Sequence, residues 1–445
     1  MTRFRRDALF ALLLLFAINA LNFFDRQLWA AVSEPVRRLW NLSDLQIGWL
    51  GTAFILLYAV IGVPLGRLAD SSRRTHLLAF GVAFWSLLTS LSSLSQGFWS
   101  FFLLRLGIGV GEATCAPACT SLIGDLFEPH QRSRALSVYM LGLPFGLALS
   151  YLVGGVAAQH YGWRWAFLAA GLPGLFLAAI VALMPEPQRG RAEPQPALGA
   201  VRRSGSPYCI ILRTPTMWWI IISGALHNFS LYAVSYFLPA LLIRYHATTV
   251  QTAGFVSAIV IGIIGGAGML LGGWAGDRLA LRRPHGRLLL TALALLASAP
   301  AAYCALSQPP GHLLRFIVPL GFAWMLMYSY YPNVYSTIQD VLEPTLRGTG
   351  MALYFLAMYG MGAFLGPVAA GWMSDLLASR SAARAGVVLV KGVPIPEQFK
   401  ALGLHQAMYM VPVLGVALAA VVFAGSLTVR RDIRRLEDWR RRGAE

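Results

Sequence analysis

Charge is what this chain has least of. Only 12% of its 445 residues are Asp, Glu, Lys or Arg, against roughly 25% in a soluble domain. Hydrophobic residues make up 57% and the mean hydropathy is +0.60, more apolar surface than a water-soluble fold can hide. Acids are scarcer still, 19 against 36 basic residues, for a net charge of +17. In a soluble protein that excess points to nucleic acid; here the arginines sit in short loops between apolar runs, which is the positive-inside pattern of a membrane protein. No nucleic-acid partner is therefore expected. The four cysteines, Cys115, Cys119, Cys209 and Cys304, have neither metal-ligand spacing nor the pattern of an extracellular framework, and read as reduced structural thiols. There is no glycine-rich loop ending in Gly-Lys-Ser or Gly-Lys-Thr, and the histidines lack metal spacing. ATP-driven pumping, a metal or other cofactor, and enzyme activity are accordingly not expected.

Apolar runs fill most of the chain. A window of about 20 residues finds roughly twelve of them, at 8–32, 45–68, 76–96, 98–124, 133–158, 163–184, 214–243, 250–276, 287–307, 313–340, 347–376 and 402–429. The first has a basic start, Arg3 to Arg6, like a secretion signal, but continues through Asp25 without a small-residue cleavage site, so it reads as a retained first helix. The predicted fold class is an all-α membrane protein of twelve transmembrane helices in two pseudo-symmetric six-helix bundles. Its parts would be 1–184 and 214–429 for the bundles, 185–213 for a central loop rich in Pro, Gly and Arg, and 430–445 for a basic tail that reads as an amphipathic helix on the inner leaflet. With both termini in the cytoplasm, about 25 of the 36 basic residues fall on the inner side. Compact loops and an arginine-rich composition point to a bacterial inner membrane, and nothing in the pattern demands a second subunit, so a monomer is expected.

The halves repeat. Gly66-Arg-Leu-Ala-Asp70-Ser-Ser-Arg73-Arg74 follows the second run and Gly273-Trp-Ala-Gly-Asp277-Arg278-Leu-Ala-Leu-Arg282-Arg283 the eighth, each with Asp four residues after Gly. Glu128-Pro-His-Gln-Arg132 opens the fifth run as Glu343-Pro-Thr-Leu-Arg347 opens the eleventh. Parallel repeats of six helices place a substrate site near mid-membrane between them. Gly66, Asp70, Arg73, Arg132, Arg134, Asp277, Arg278 and Arg347 are the candidate cytoplasmic gate, with Arg132, Arg134 and Arg347 as candidate partners for Asp70, against the plainer reading of positive-inside anchoring, which fits Arg73 and Arg74 better than Asp70 or Asp277.

Four ionisable residues interrupt apolar runs: Asp25 and Arg26 in the first, and Arg105 and Glu112 in the fourth. A charge at such depth costs at least ~2.5 kcal/mol and usually marks a substrate or proton path. Counted from the run ends, Asp25 and Arg105 fall at similar depth, and Glu112, seven residues on, shares a face with Arg105 about 10 Å deeper. Gly107, Gly109 and Gly111 between them admit another backbone or a ligand. Desolvation and a nearby arginine act on a buried carboxyl in opposite directions. Asp25 and Glu112 are the candidate proton carriers, Arg105 the group alternating between them and an anionic substrate, and Arg26 a fixed counter-ion or outer latch; a static ion-pair network is the competing reading. Candidate substrate contacts are Arg105, Glu112 and Asn22, with His227 and Asn228 of the seventh run and Tyr330, Tyr331 and Asn333 of the tenth.

On these residues the chain resembles the major facilitator superfamily over essentially its whole length. It matches that family's loop motif at Gly66, Leu68, Ala69, Asp70, Arg73 and Arg74, with Ser71 for an arginine and one residue fewer; Arg278 restores the arginine in the second copy. Asn22-Phe-Phe-Asp25-Arg26, Arg105-Leu-Gly-Ile-Gly-Val-Gly-Glu112-Ala113, and Gln131-Arg-Ser-Arg-Ala135-Leu-Ser leading to Gly146 and Tyr151-Leu-Val-Gly-Gly155 resemble the spinster-like transporters. The first two elements also resemble organic-anion/proton cotransporters; the fifth-run element favours spinster. The Gly-Pro pair of drug antiporters is absent from the fifth run, where Ser150-Tyr151 stands, and appears as Gly366-Pro367 in the eleventh. The resemblance implies a proton-coupled secondary transporter of an amphiphilic or anionic solute, a lysophospholipid or sphingosine-phosphate-like lipid, working by alternating access. A symporter of sugar acids or other carboxylates is the alternative, and a passive pore or a ligand-sensing receptor the reading from a different class. Its partners would be a small-molecule or lipid substrate, protons and membrane lipids.

Overall fold

The computed structural model describes residues 3–188, 207–343, 346–387 and 394–442, all regular elements among them helical; the side chains of Gly66, Asp70, Arg132 and Arg134 lie outside the described residues. Eleven helices are long and apolar enough to cross a membrane. With the 28-residue helix Asp44–Ser71 as span 2, they number twelve: Asp7–Trp40 (span 1), Arg74–Ser92 (span 3), Phe98–Leu126 (span 4), Ala135–His160 (span 5), Trp163–Ala182 (span 6), Pro215–Arg244 (span 7), Val250–Arg282 (span 8), Gly286–Leu306 (span 9), Leu313–Val341 (span 10), Thr349–Arg384 (span 11) and Glu397–Leu436 (span 12). The chain is an all-α, twelve-helix integral membrane protein.

Local chemistry explains several boundaries. Span 2 opens on a capping box in which Ser43 Oγ accepts from Gln46 N at 3.2 Å and Gln46 Oε1 from Ser43 N at 2.9 Å. Span 1 outruns its expected end at 32 and stays helical to Trp40. The charged turn that hydropathy excludes is self-satisfied, because Arg37 Nη2 lies 2.8 Å from Glu34 Oε1 with both side chains buried. Span 8 starts at Thr249, whose hydroxyl accepts from Thr252 N at 3.1 Å. The helix of span 12 runs unbroken from Met410 to Arg442. Beyond the membrane its Asp432 is buried and accepts from Thr216 N at 2.9 Å and Thr216 Oγ1 at 2.6 Å, so the start of the basic tail is fastened to the start of span 7.

Several spans are interrupted, and spans 4 and 10, which correspond in the repeat, break alike. Span 4 breaks after Glu112 and resumes at Cys115, and span 10 breaks at Ser329 and resumes at Tyr330. Span 8 contains a π-helical stretch at Ala258–Ile264 and span 11 one at Met358–Ala363. Irregular backbone at membrane depth survives only where protein or a cavity covers it, and such breaks cluster at functional positions.

Two compact units result. One comprises Met1–Leu198 together with Ser235–Ile243 and Thr248–Ala258; the other comprises Gly199–Val234, Arg244–Ala247 and Ile259–Glu445. Spans 7 and 8 therefore each contribute to both. The first unit is held by an apolar cluster that includes Leu15, Ile18, Leu78, Val82, Trp85 and Leu122. Large apolar side chains such as Phe80, Trp99, Phe176, Leu270 and Leu281 are exposed, as a lipid-facing surface requires.

Candidate functional site

Span 4 is pressed against its neighbours through its glycines. A Cβ at Gly109 would collide with the Phe54 carbonyl of span 2, and one at Gly111 would come within 2.8 Å of the Gly81 carbonyl and Trp85 Cβ of span 3. These glycines admit backbone rather than ligand, and the close approach turns Arg105 and Glu112 toward spans 1 and 2. Arg26 Nε donates to Glu112 Oε2 at 2.8 Å, with Arg26 5% exposed and Glu112 fully buried. The rings of Phe23, Phe54 and Tyr58 surround the Arg26 guanidinium at 5.1, 5.4 and 4.5 Å, within cation–π range. Span 2 supplies Leu50, Phe54 and Tyr58 from one face by their four-residue spacing.

Arg105 is employed differently from the sequence expectation. Its Nε donates to the Leu50 carbonyl at 3.2 Å, Nη1 to the Asp25 carbonyl at 3.3 Å and Nη2 to the Arg26 carbonyl at 3.4 Å. Arg26, not Arg105, is thus the hydrogen-bonded partner of Glu112. The spacing argument places all four charges together; it does not foresee that the carbonyls of span 1 occupy Arg105. Asp25 is buried beside Trp85 and Thr89 of span 3. Neither of its carboxyl oxygens, nor Trp85 Nε1, nor Thr89 Oγ1, completes a hydrogen bond. Glu112 Oε1 and Asn22 Nδ2 are likewise buried without one. Such a concentration of unsatisfied polar atoms is rare in a core built only for stability.

The second unit brings together the residues expected on spans 7 and 10. The His227 ring stacks on Tyr330 at 4.1 Å and 16°, and meets Tyr331 edge-on at 5.0 Å. Tyr331 donates to Asn228 Oδ1 at 3.1 Å, and Tyr330 shares a hydrogen bond with Ser223 Oγ at 2.7 Å. Both nitrogens of fully buried His227 are without a hydrogen bond. Asn333 stands apart from this group, because its amide donates to the carbonyls of Gly272 at 3.1 Å and Ser329 at 2.9 Å. It seals span 10 against span 8, where a Cβ on Gly276 would strike it. Tyr335 and Tyr354, 5.7 Å apart, extend the aromatic lining and were not foreseen.

At the loop ends, Arg74 and Arg287 each gather two carboxylates. Arg74 binds Asp125, and its Nε donates to Glu186 Oε1 at 2.8 Å while its own side chain is 1% exposed; it is no solvated anchor. Burial raises the Glu186 carboxyl, but hydrogen bonds from the Thr75 backbone, Arg74 and the Thr75 hydroxyl outweigh it and hold the group below its ordinary value of 4.5. In the second half Arg287 Nη2 donates to Asp277 Oδ1 at 2.8 Å and Nη1 binds Asp340. The two arrangements correspond: Arg74 and Asp125 are 51 residues apart, Arg287 and Asp340 are 53. That repeated spacing was the available signal. Of the other expected gate residues, Arg73 is exposed, Arg278 lies over the Trp274 ring at 3.9 Å, and Arg347 Nε donates to the Gln339 carbonyl at 3.1 Å. Gly66, Asp70, Arg132 and Arg134 sit in helices, but their side chains fall outside the described residues.

Comparison with known proteins agrees with this architecture. The profile of the Major Facilitator Superfamily matches residues 15–367. An MFS-type efflux pump of Mycolicibacterium smegmatis (strain ATCC 700084 / mc(2)155) is 30% identical over 372 residues, 83% of this chain and 85% of the relative. Protein spinster homolog 1 of Homo sapiens is 30% identical over 404 residues, 84% and 74% of the two chains. The crystal structure of a bacterial homologue of the human lysosomal transporter Spinster, inward-facing and unoccupied, matches with a TM-score of 0.87 and 26% identity over 97% of this chain and 99% of that one. A D-xylose-proton symporter, at 16% identity and a TM-score of 0.63 over 92% and 97%, is alike in fold. By family profile, relatives and helical architecture together, the chain belongs to the major facilitator superfamily of transporters and groups with its spinster-like members.

Proposed function

We propose that this transporter moves an anionic or amphiphilic solute, foremost a single-tailed phospholipid, by alternating access coupled to a proton gradient, in a bacterial inner membrane with both termini in the cytoplasm. The observation that carries the reading is the buried Arg26–Glu112 pair, 2.8 Å long, beside an Asp25 carboxyl that accepts no hydrogen bond. Protonating Glu112 removes the counter-charge of Arg26. The freed guanidinium then takes the substrate's phosphate or carboxylate, for which its planar fork is suited, and loss of the proton returns Arg26 to Glu112. Asp25 serves as the second proton site, and Arg105, braced on three carbonyls, keeps the local field positive. Within the second unit, His227, Asn228, Tyr330 and Tyr331 are read as a neutral hydrogen-bonding surface for a polar substrate group. The Arg74 and Arg287 clusters, with Asp70 and Asp277, are read as the groups that make and break bonds at the cytoplasmic ends during the cycle.

Uptake of labelled lysophospholipid into proteoliposomes under an imposed pH gradient tests this, with a sugar acid as competitor. Gradient-driven, saturable uptake is expected in the native protein and its loss in Asp25→Asn and Glu112→Gln, with folding retained. Undiminished gradient dependence in both variants would overturn the assignment. Uptake blocked by the sugar acid but not by the lipid would transfer it to a carboxylate symporter, and non-saturating flux to a pore.

A further inference from the structure

Span 7 carries a defect with an unusual repair. Pro239 has no N–H, so the Ser235 carbonyl four residues earlier loses its helical donor. Two side chains of the first unit supply the replacement: Tyr151 OH of span 5 donates to Ser235 O at 2.5 Å, and Gln27 Nε2 of span 1 donates to the same oxygen at 3.2 Å and to Tyr151 OH at 2.6 Å. The next residue, Tyr236, is fully buried with its ring on Gly51, and donates to the Arg26 carbonyl at 3.1 Å. The boundary at which span 7 changes unit falls at Ser235, and that of span 8 falls at Ala258, the first residue of its π-helical stretch. Between them Gly254 packs on Gly155 and the Tyr151 carbonyl. The segment from Ser235 to Ala258 is therefore bounded by two helical irregularities and fastened to spans 1 and 5 by side-chain donors.

We infer that Gln27, Tyr151 and Tyr236 are positioning residues of a latch. They hold the tip formed by the end of span 7 and the start of span 8 against spans 1 and 5, and the tip swings on Pro239 and on the π-helix during transport. The latch ends on Arg26, the residue whose side chain holds Glu112, so the proton step and the release of the tip act on one backbone unit. The inference rests on the proton-exchange reading of that pair and extends it to the element that moves.

Accessibility of a cysteine in the tip reads the latch directly, without transport. In the full-length protein in proteoliposomes, with exposed Cys209 and Cys304 changed to serine, Ala253→Cys places a thiol at a buried position for a polar maleimide. Tyr151→Phe is expected to speed labelling about tenfold, the worth of one hydrogen bond. Adding Pro239→Ala, which returns the missing N–H to the Ser235 carbonyl, is expected to restore slow labelling. Labelling faster at low pH in the native latch and insensitive to pH in Tyr236→Phe is the signature of positioning rather than packing. Should Tyr151→Phe fold poorly, Gln27→Met removes the other donor and is read in the same way. Unchanged labelling in the donor variants, or failure of Pro239→Ala to reverse them, overturns the latch. A labelling response in a protein without gradient-driven uptake leaves the latch standing and removes the transport reading, so the two fail separately.

Discussion

The Arg26–Glu112 pair allows a double-mutant cycle whose outcome follows from its surroundings. Glu112→Gln keeps the shape and deletes the charge, leaving a buried guanidinium against the rings of Phe23, Phe54 and Tyr58. Stranding a buried charge costs about 3–5 kcal/mol, and cation–π contacts return roughly 1–2 of that, so a net loss of about 1–4 kcal/mol is expected. Arg26→Gln removes the hydrogen-bonded cation from Glu112, with Arg105 remaining as a second nearby positive charge, and should cost a similar amount. The double variant removes both charges and should lie within about 1 kcal/mol of the native protein, so the coupling energy should approach the sum of the two single losses. Thermal unfolding of detergent-solubilised protein measures it. At about 2–4 °C per kcal/mol for a unit of this size, the single variants should melt roughly 2–16 °C lower and the double variant close to native. Losses that add in the double variant would refute the claim that the two charges compensate one another. Asp25→Asn is the control: replacing a carboxyl that accepts no hydrogen bond should leave the melting temperature unchanged or higher.

Other expectations are independent of that cycle. Gly109→Ala forces a methyl into the Phe54 carbonyl and should destabilise the fold by about 1–3 kcal/mol, measurable by the same melts. Arg287→Met leaves Asp277 and Asp340 facing one another and should cost about 1 kcal/mol, whereas Arg278→Met, whose guanidinium rests on Trp274, should be nearly silent. His246, at the turn between spans 7 and 8, is held neutral by burial and by His405, and its pKa falls from 6.5 to about 4. The unfolded chain therefore binds its proton first, and stability should be complete above pH 6.5 and decline toward pH 4; His246→Phe should flatten that slope. The lowered Glu186 carboxyl acts in a more acidic window, its contribution being complete above 4.5 and lost as pH falls through the folded value. Glu186→Gln should remove that second decline.

Hydropathy was sufficient for the helices and their number, because a membrane admits few other solutions for so apolar a chain. Depth along a helix was equally legible: Asp25, Arg26, Arg105 and Glu112 do form one cluster. Their pairing was not legible, because it depends on how far each helix is rotated, and that is set by contacts such as Gly109 on Phe54 and Gly111 on Gly81, which join residues distant in the chain. Arg74 shows the same limit, since its partners Asp125 and Glu186 are 51 and 112 residues away and local composition makes it look like an ordinary anchoring charge. Asn333 sits in a tyrosine-rich segment that looks like a binding surface, yet helix rotation aims its amide at the backbone of span 8.

The hold of Asp432 on Thr216 bears on how the polypeptide can be cut or fused. The carboxylate caps the beginning of span 7 from the far end of the molecule's last helix, over a separation of 216 residues. Trimming the terminus before Asp432 would leave the first amide of that span bare and weaken a helix by its opposite extremity, a loss on the order of 1 kcal/mol. Affinity tags and fluorescent fusions therefore belong after Arg442, where the helix ends.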